Sequence, residues 1–318
     1  MTAPPPAAER PGIGHYPTVA DHWANGPGDS LTVEFFGTTS MLLRAGRTAV
    51  MIDGFFSRPS MQEVVAGPIA PDRETVDACL RHAGIDRLDA VVCVHSHYDH
   101  AFDSPVVAEK FLAPLLGSAS TANVGRGYGL PEQLLRTVHD GETVSFADFD
   151  LTFVTSIHCP GDVSPGEIEE PVVPPAPYAA WRSGDCYSLL VRHADGTALI
   201  QASANFIPGK LGGHSADVVY LGIGMLGKQD PDFRREYWEQ MVRNTGARTV
   251  FPVHWDDFMT PLLDGPLLPQ PYVMEDVVPA MDFVFERGRL DGLTVLLPTL
   301  WTPLTPFTGA PTEKGPSC

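Results

Sequence analysis

His95-Ser96-His97-Tyr98-Asp99-His100 follows directly on the apolar run 88–94 and gathers three imidazoles and a carboxylate into one short stretch. The preceding Asp89-Ala90-Val91-Val92-Cys93-Val94 is short and β-branched, so it reads as a buried strand, and the chain must turn where the polar cluster begins. On an extended segment His95 and His97 point the same way, while a turn after them swings Asp99 and His100 toward a neighbouring point. The spacing therefore offers two imidazoles to one metal ion and a carboxylate with an imidazole to another. Zinc, iron and manganese all accept such ligands.

Outward from the cluster, 31–36, 41–44 and 48–52 read as a meander of strands broken at Gly37 and Ala45-Gly46. A helix starts at Pro71-Asp72, carries Val76, Cys79, Leu80 and Ala83 at helical spacing, and stops at Gly84. Ser104-Pro105 reads as an N-cap and first helical position, and 117–129 as a glycine-rich connection. Strands at 144–146 and 151–156 lead to His158, and Pro-rich 160–177 reads as a long surface loop of the kind that forms lids. Further strands are expected at 186–192, 197–202, 216–221 and 248–253, with a helix over 232–245, and the last strand delivers His254. Candidate chemistry thus recurs at four strand ends, His95 to His100, His158, Ala202-Ser203 and His254, as a site on a sheet edge requires.

Composition sets limits on function. The chain has 318 residues, 43% of them hydrophobic, which suits one large α/β domain. With 21 Lys and Arg against 39 Asp and Glu, the formal charge is -18, and no basic cluster is present, so a small-molecule substrate is expected rather than nucleic acid. No apolar run reaches the roughly 20 residues of a membrane span, and the Pro/Ala-rich start lacks signal-peptide character, so a cytoplasmic location is expected. Five scattered cysteines with no C-x-x-C pair argue against a disulfide framework. Residues 1–28 read as a disordered tail, 29–302 as the domain and 303–318 as a flexible tail. Gly222-x-Gly224-x-x-Gly227 matches a dinucleotide fingerprint, but Lys228 to Pro231 intervene before the helix and the next strand ends in His254. Those glycines read instead as a close-packed loop at the site.

His95-x-His97-x-Asp99-His100, followed by His158 and His254, resembles the metallo-β-lactamase superfamily over about 31–297. Phe36-Gly37-Thr38, residues 52–58 and Pro252-Val253-His254-Trp255 are similar to the branch of ascorbate-6-phosphate lactonase and N-acylphosphatidylethanolamine phospholipase D-like hydrolases. The resemblance implies an α/β fold, a four-layer αββα sandwich of two mixed β-sheets. It also implies a dinuclear centre in which His95, His97 and His158 hold one metal and Asp99, His100 and His254 the other. A bridging Asp usually follows the strand that here ends in Ala202-Ser203, so the second metal loses one carboxylate and keeps that of Asp99.

The chemistry implied is a metal-bound hydroxide attacking a small ester, lactone, thioester or phosphodiester, with one or two zinc ions per chain, or manganese or iron. Asp99 is the expected catalytic group, orienting the nucleophile or protonating the leaving group. Asp53 is the candidate to hold an imidazole from behind, Ser203 faces the metal or forms a turn, and Tyr98, Trp181 and Trp255 are candidates to face substrate. An iron-dependent oxygenase or redox enzyme on the same fold is the alternative.

Overall fold

The computed structural model describes residues 9–26, 28 and 30–312. A six-stranded sheet runs in chain order from β1 (Thr32–Phe35), β2 (Met41–Ala45) and β3 (Thr48–Ile52) to β4 (Ala90–Val92), β5 (Leu115–Gly117) and β6 (Leu135–Thr137). A seven-stranded sheet contains β7 (Thr143–Ser145), β8 (Phe149–Ser156), β9 (Cys186–His193), β10 (Gly196–Gln201), β11 (Val218–Gly222), β12 (Thr249–Val253) and β13 (Thr294–Val295), again with sequential neighbours paired. Each sheet is antiparallel where hairpins connect its strands and parallel from β3 to β6 and from β10 to β13.

Period-two alternation sorts the side chains into layers. Leu43, Val50, Ile52 and Val92 face Phe153, Leu189, Ile200 and Phe251 in a core between the sheets. Their neighbours Leu42, Met51, Val91 and Cys93 point the other way and pack on helices Arg73–His82, Ser104–Phe111 and Ala119–Gly127. On the outer face of the second sheet, Leu199, Val219 and Val250 pack on Tyr237, Met241 and Val284 from helices Pro231–Trp238 and Val278–Asp291 and the π turn Glu239–Arg243. This is the expected αββα sandwich.

Three local readings change. Helix Ser104–Phe111 begins one residue early, and the Ser104 hydroxyl donates to the carbonyls of Asp53 and His100 instead of capping. The 117–129 stretch is helix Ala119–Gly127, capped by the Ser118 side chain accepting from Thr121 N. Its glycines serve close approach: a Cβ on Gly127 would lie 1.8 Å from the Val172 carbonyl oxygen. Segments on both sides of 29–302 also contact the sandwich or each other. Tyr16 is buried and donates to Asp282 at 2.7 Å, Leu304 bridges Val33, and Trp23–Ala24 pairs with Ala310–Pro311. Those tail segments carry enough apolar surface to dock, which their proline and glycine content masks. Residues 1–8 and 313–318 lie outside the described residues.

One buried ion pair ties the sheets together. Arg58 Nη2 lies 2.8 Å from Asp256 Oδ2 with both side chains essentially solvent-free, and the guanidinium also donates to the carbonyls of Phe36 and Asp257. Asp256 Oδ1 accepts from Thr38 N, and Thr38 O accepts from His254 N, so the turn after β1 is fastened to the end of β12. Gly37 sits at φ +84°, where a Cβ would lie 2.0 Å from Arg58 Nη2. Arg58→Met leaves Asp256 buried and unpaired, with an expected loss of about 3–5 kcal/mol. Urea denaturation measures it, and a loss within experimental error would show that the pair holds nothing.

Candidate metal centre

The carboxyl ends of β3, β4, β8, β10, β11 and β12 lie along one edge of the sandwich, and the loops leaving them carry the polar residues singled out above. Side chains held by strand ends are rigid while the loops between them vary. His97 caps the short helix Tyr98–Ala101, and that turn carries Asp99 and His100 away from His95 and His97. Ligand-type atoms of His95, His97 and His158 all lie within 4.8 Å of one another, and so do those of Asp99, His100 and His254. The two triads adjoin: the His95 and His100 ring centroids are 3.8 Å apart.

Three of the five rings are gripped at one nitrogen from outside the cluster. His100 Nδ1 lies 2.8 Å from Asp53 Oδ2 and 3.0 Å from Thr39 Oγ1, and the Thr39 hydroxyl itself donates to Asp53. Asp53 is held in turn by Val94 N at 3.0 Å, with its own backbone at φ +56°. His97 Nε2 contacts Asp162 Oδ1 at 3.1 Å and Ser164 O at 3.2 Å, which leaves Nδ1 open to a cation. His158 Nδ1 faces Cys159 O at 3.2 Å. By contrast His95 Nε2 and His100 Nε2 are buried with no hydrogen-bond partner. Unpartnered buried nitrogens on His95 and His100, beside rings of His97, His100 and His158 fixed by a carboxylate or carbonyl behind them, fit metal ligation.

Electrostatics divide the cluster. Burial, then the neighbouring His100 and His97, hold the His95 pKa far below its ordinary value, and burial with His97 lowers His158 to about 4, so both present lone pairs at neutral pH. For His97 burial works against the charged form, but the Asp162 hydrogen bond and the Asp99 and Asp162 charges outweigh it and raise the pKa. His254 behaves alike through Asp99, whose Oδ2 lies 3.3 Å from His254 Nε2. Burial alone would push Asp99 up; His100, then His254, instead keep it far below the usual carboxylate range, hence ionised.

The remaining candidates separate. Ser203 Oγ accepts from Cys159 N at 2.8 Å, and Asn205 Nδ2 donates to His158 O at 2.7 Å, so the loop after β10 positions the His158 segment. Tyr98 lines a cavity of about 450 Å³ that opens on the cluster, with Val64, Tyr178, Phe258 and Met259. Trp181 belongs to the wall of that cavity but is fully buried against Phe102, with no exposed face to offer a substrate. Trp255 turns the other way, into a larger cavity of about 890 Å³ that includes none of the clustered histidines. Gly224 is required beside the site, because a Cβ there would lie 2.8 Å from His254 Nδ1. Sequence reading missed Thr39, Asp162, Asn205 and Glu275; of these only Asp162, four residues past His158, carried a local signal.

Residues 33–200 match the family model described as the metallo-beta-lactamase superfamily. A UPF0173 metal-dependent hydrolase from Pyrobaculum aerophilum is 23% identical over 229 residues, covering 72% of this chain and 85% of that protein. Igni18, a metallo hydrolase from Ignicoccus hospitalis, is similar in structure with a TM-score of 0.50 at 12% identity, over 90% of this chain and 100% of that one. CmlA, a diiron β-hydroxylase from Streptomyces venezuelae, has a TM-score of 0.50 at 14% identity, over 90% of this chain and 54% of that one. At such identities the structural likeness shows the fold.

Asp162→Ala frees His97 Nε2 and is expected to weaken divalent-cation binding at the His95, His97 and His158 cluster by roughly 10- to 100-fold. Competition against a chromophoric chelator measures this, and unchanged affinity would show that Asp162 does not position the ring.

Proposed function

The chain belongs to the metallo-β-lactamase superfamily, and from that premise we propose that it is a metal-dependent hydrolase of a small-molecule ester, lactone, thioester or phosphodiester. The observation that carries the reading is the pair of triads with their buried, unpartnered ring nitrogens. His95, His97 and His158 would hold one cation and Asp99, His100 and His254 a second, zinc being the first choice for such donors. Held there, a dication would lower the pKa of water from about 15.7 toward 7 and would polarise a carbonyl or phosphoryl oxygen.

The chain's own residues do the rest. Asp99, ionised and hydrogen-bonded to His254, is placed to orient the attacking water and to return a proton to the leaving group. Asp53 with Thr39, and Asp162 with Ser164, keep His100 and His97 in a single orientation, which spares reorganisation during the reaction. The cavity beside the cluster takes a small, partly apolar molecule, and Lys228 is the one Lys or Arg among its described lining residues, which argues against long polyanions. No helix among the described residues is long and apolar enough to cross a membrane, and a cytoplasmic location remains our reading from composition. Ser203 occupies the bridging-carboxylate position, so the second cation is the more weakly held of the two. Because the same donors suit iron, and a diiron hydroxylase shares the fold, a redox enzyme is the second reading.

Protein purified without added metal or chelator is expected to carry between one and two zinc ions per chain and to turn over one of a lactone, a thioester and a bis-aryl phosphodiester. Chelation should abolish that turnover and zinc restore it. Iron without hydrolysis would bring the redox reading forward, and absence of any bound metal would overturn the proposal.

A further inference from the structure

Glu275 lies in the wall of the cavity that holds the histidine cluster, and its environment is not that of a structural carboxylate. It is 4% exposed. Its Oε2 accepts from Met225 N at 2.8 Å, a backbone donor presented by a residue at φ +63°. Its Oε1 is buried and takes no hydrogen bond, and no ion pair reaches it among the described residues. The Lys228 ammonium donates instead to Met274 O. A buried carboxylate oxygen without a donor costs free energy in the empty cavity, a cost that a hydrogen bond arriving with a ligand removes. Around it the cavity is mostly apolar, with Met61, Val64, Val65, Phe258 and Met259, so a polar group entering there meets few other partners.

We infer that Glu275 is the specificity-determining residue of this cavity: its free Oε1 receives an N–H donor of the substrate, which makes the substrate an apolar molecule bearing an ammonium group rather than a second carboxylate or phosphate. Among the lining side chains the sign is the same: Asp99 and Glu275 are the two carboxylates and Lys228 sits exposed at the edge, so an anionic substituent placed against Glu275, rather than on a cation at the cluster, would be repelled at short range. The inference rests on the hydrolase reading only for the identity of the bound molecule as substrate; the recognition itself is a binding property.

The test uses metal-loaded full-length protein and three p-nitrophenyl esters matched in length, with a neutral, an ω-ammonium and an ω-carboxylate acyl group. Binding of the corresponding ω-amino acid and dicarboxylate is measured in parallel by calorimetry. The wild type is expected to favour the ammonium over the carboxylate ligand by roughly 10- to 100-fold, the range of one charge-assisted hydrogen bond. Glu275→Gln keeps an acceptor for Met225 N and should bring that ratio toward one, with metal content and thermal midpoint recorded alongside. Equal loss on all three esters would make Glu275 structural and overturn the inference, as would a wild type that does not discriminate in binding. Discrimination in binding with no ester turned over would sustain the recognition role and defeat the hydrolase reading instead.

Discussion

The Arg58–Asp256 ion pair is the constraint on which the site edge depends. Each sandwich sheet is held together by its own ladder, and the core between them is apolar and non-directional, so packing alone leaves the loops at the edge free to choose their relative position. A guanidinium that reaches Asp256, Asp257 O and Phe36 O at once removes that freedom. It does so at the point where His254 leaves the second sheet, and the adjoining Thr38-Thr39 turn carries the frame on to Asp53 and His100. Thr38, Asp53, Arg58 and His254 all carry positive φ, at +51°, +56°, +43° and +60°. Such backbone is unfavourable for residues other than glycine and persists where the surroundings over-determine it.

Around that frame the imidazoles are oriented by groups from distant segments. Asp53 comes from the end of β3, Asp162 from the proline-rich loop, and Ser203 with Asn205 from the loop after β10. The proline-rich loop therefore has two roles: it borders the cavity through Val163, Ser164 and Tyr178, and it fixes a ring of the cluster through Asp162. A motion of this loop would be felt at His97. The Ser203 hydroxyl accepts the Cys159 N–H and so holds the segment next to His158 in place.

Much of this architecture was legible because it is written in local periodicity. The strands from Thr32 to Ile52 and the strand before His95 show β-branched, apolar, period-two patterns, and helix Arg73–His82 shows its apolar stripe behind a capping Asp72. Helix Ala119–Gly127 escaped because its close-packing positions 125 and 127 demand small residues, and glycine at such positions looks like a loop when neighbours are unknown. The docked tails escaped for a related reason: Tyr16 and Leu304 are single anchors in proline-rich chain, without a period to detect.

By itself the sequence determined the sandwich and offered six candidate donors with Asp53 as a candidate partner, since strand period, turn residues and ligand chemistry can be read along the chain. Only the tertiary structure decided that Asp162 and Thr39 grip the rings, that Trp255 faces away from the cluster, and that Glu275 enters its cavity with one oxygen free. Those contacts join residues tens to hundreds of positions apart, and which side chains meet across a sheet edge depends on how two sheets are set against each other. That setting is made by packing and one buried ion pair, neither of which leaves a periodic trace in the chain.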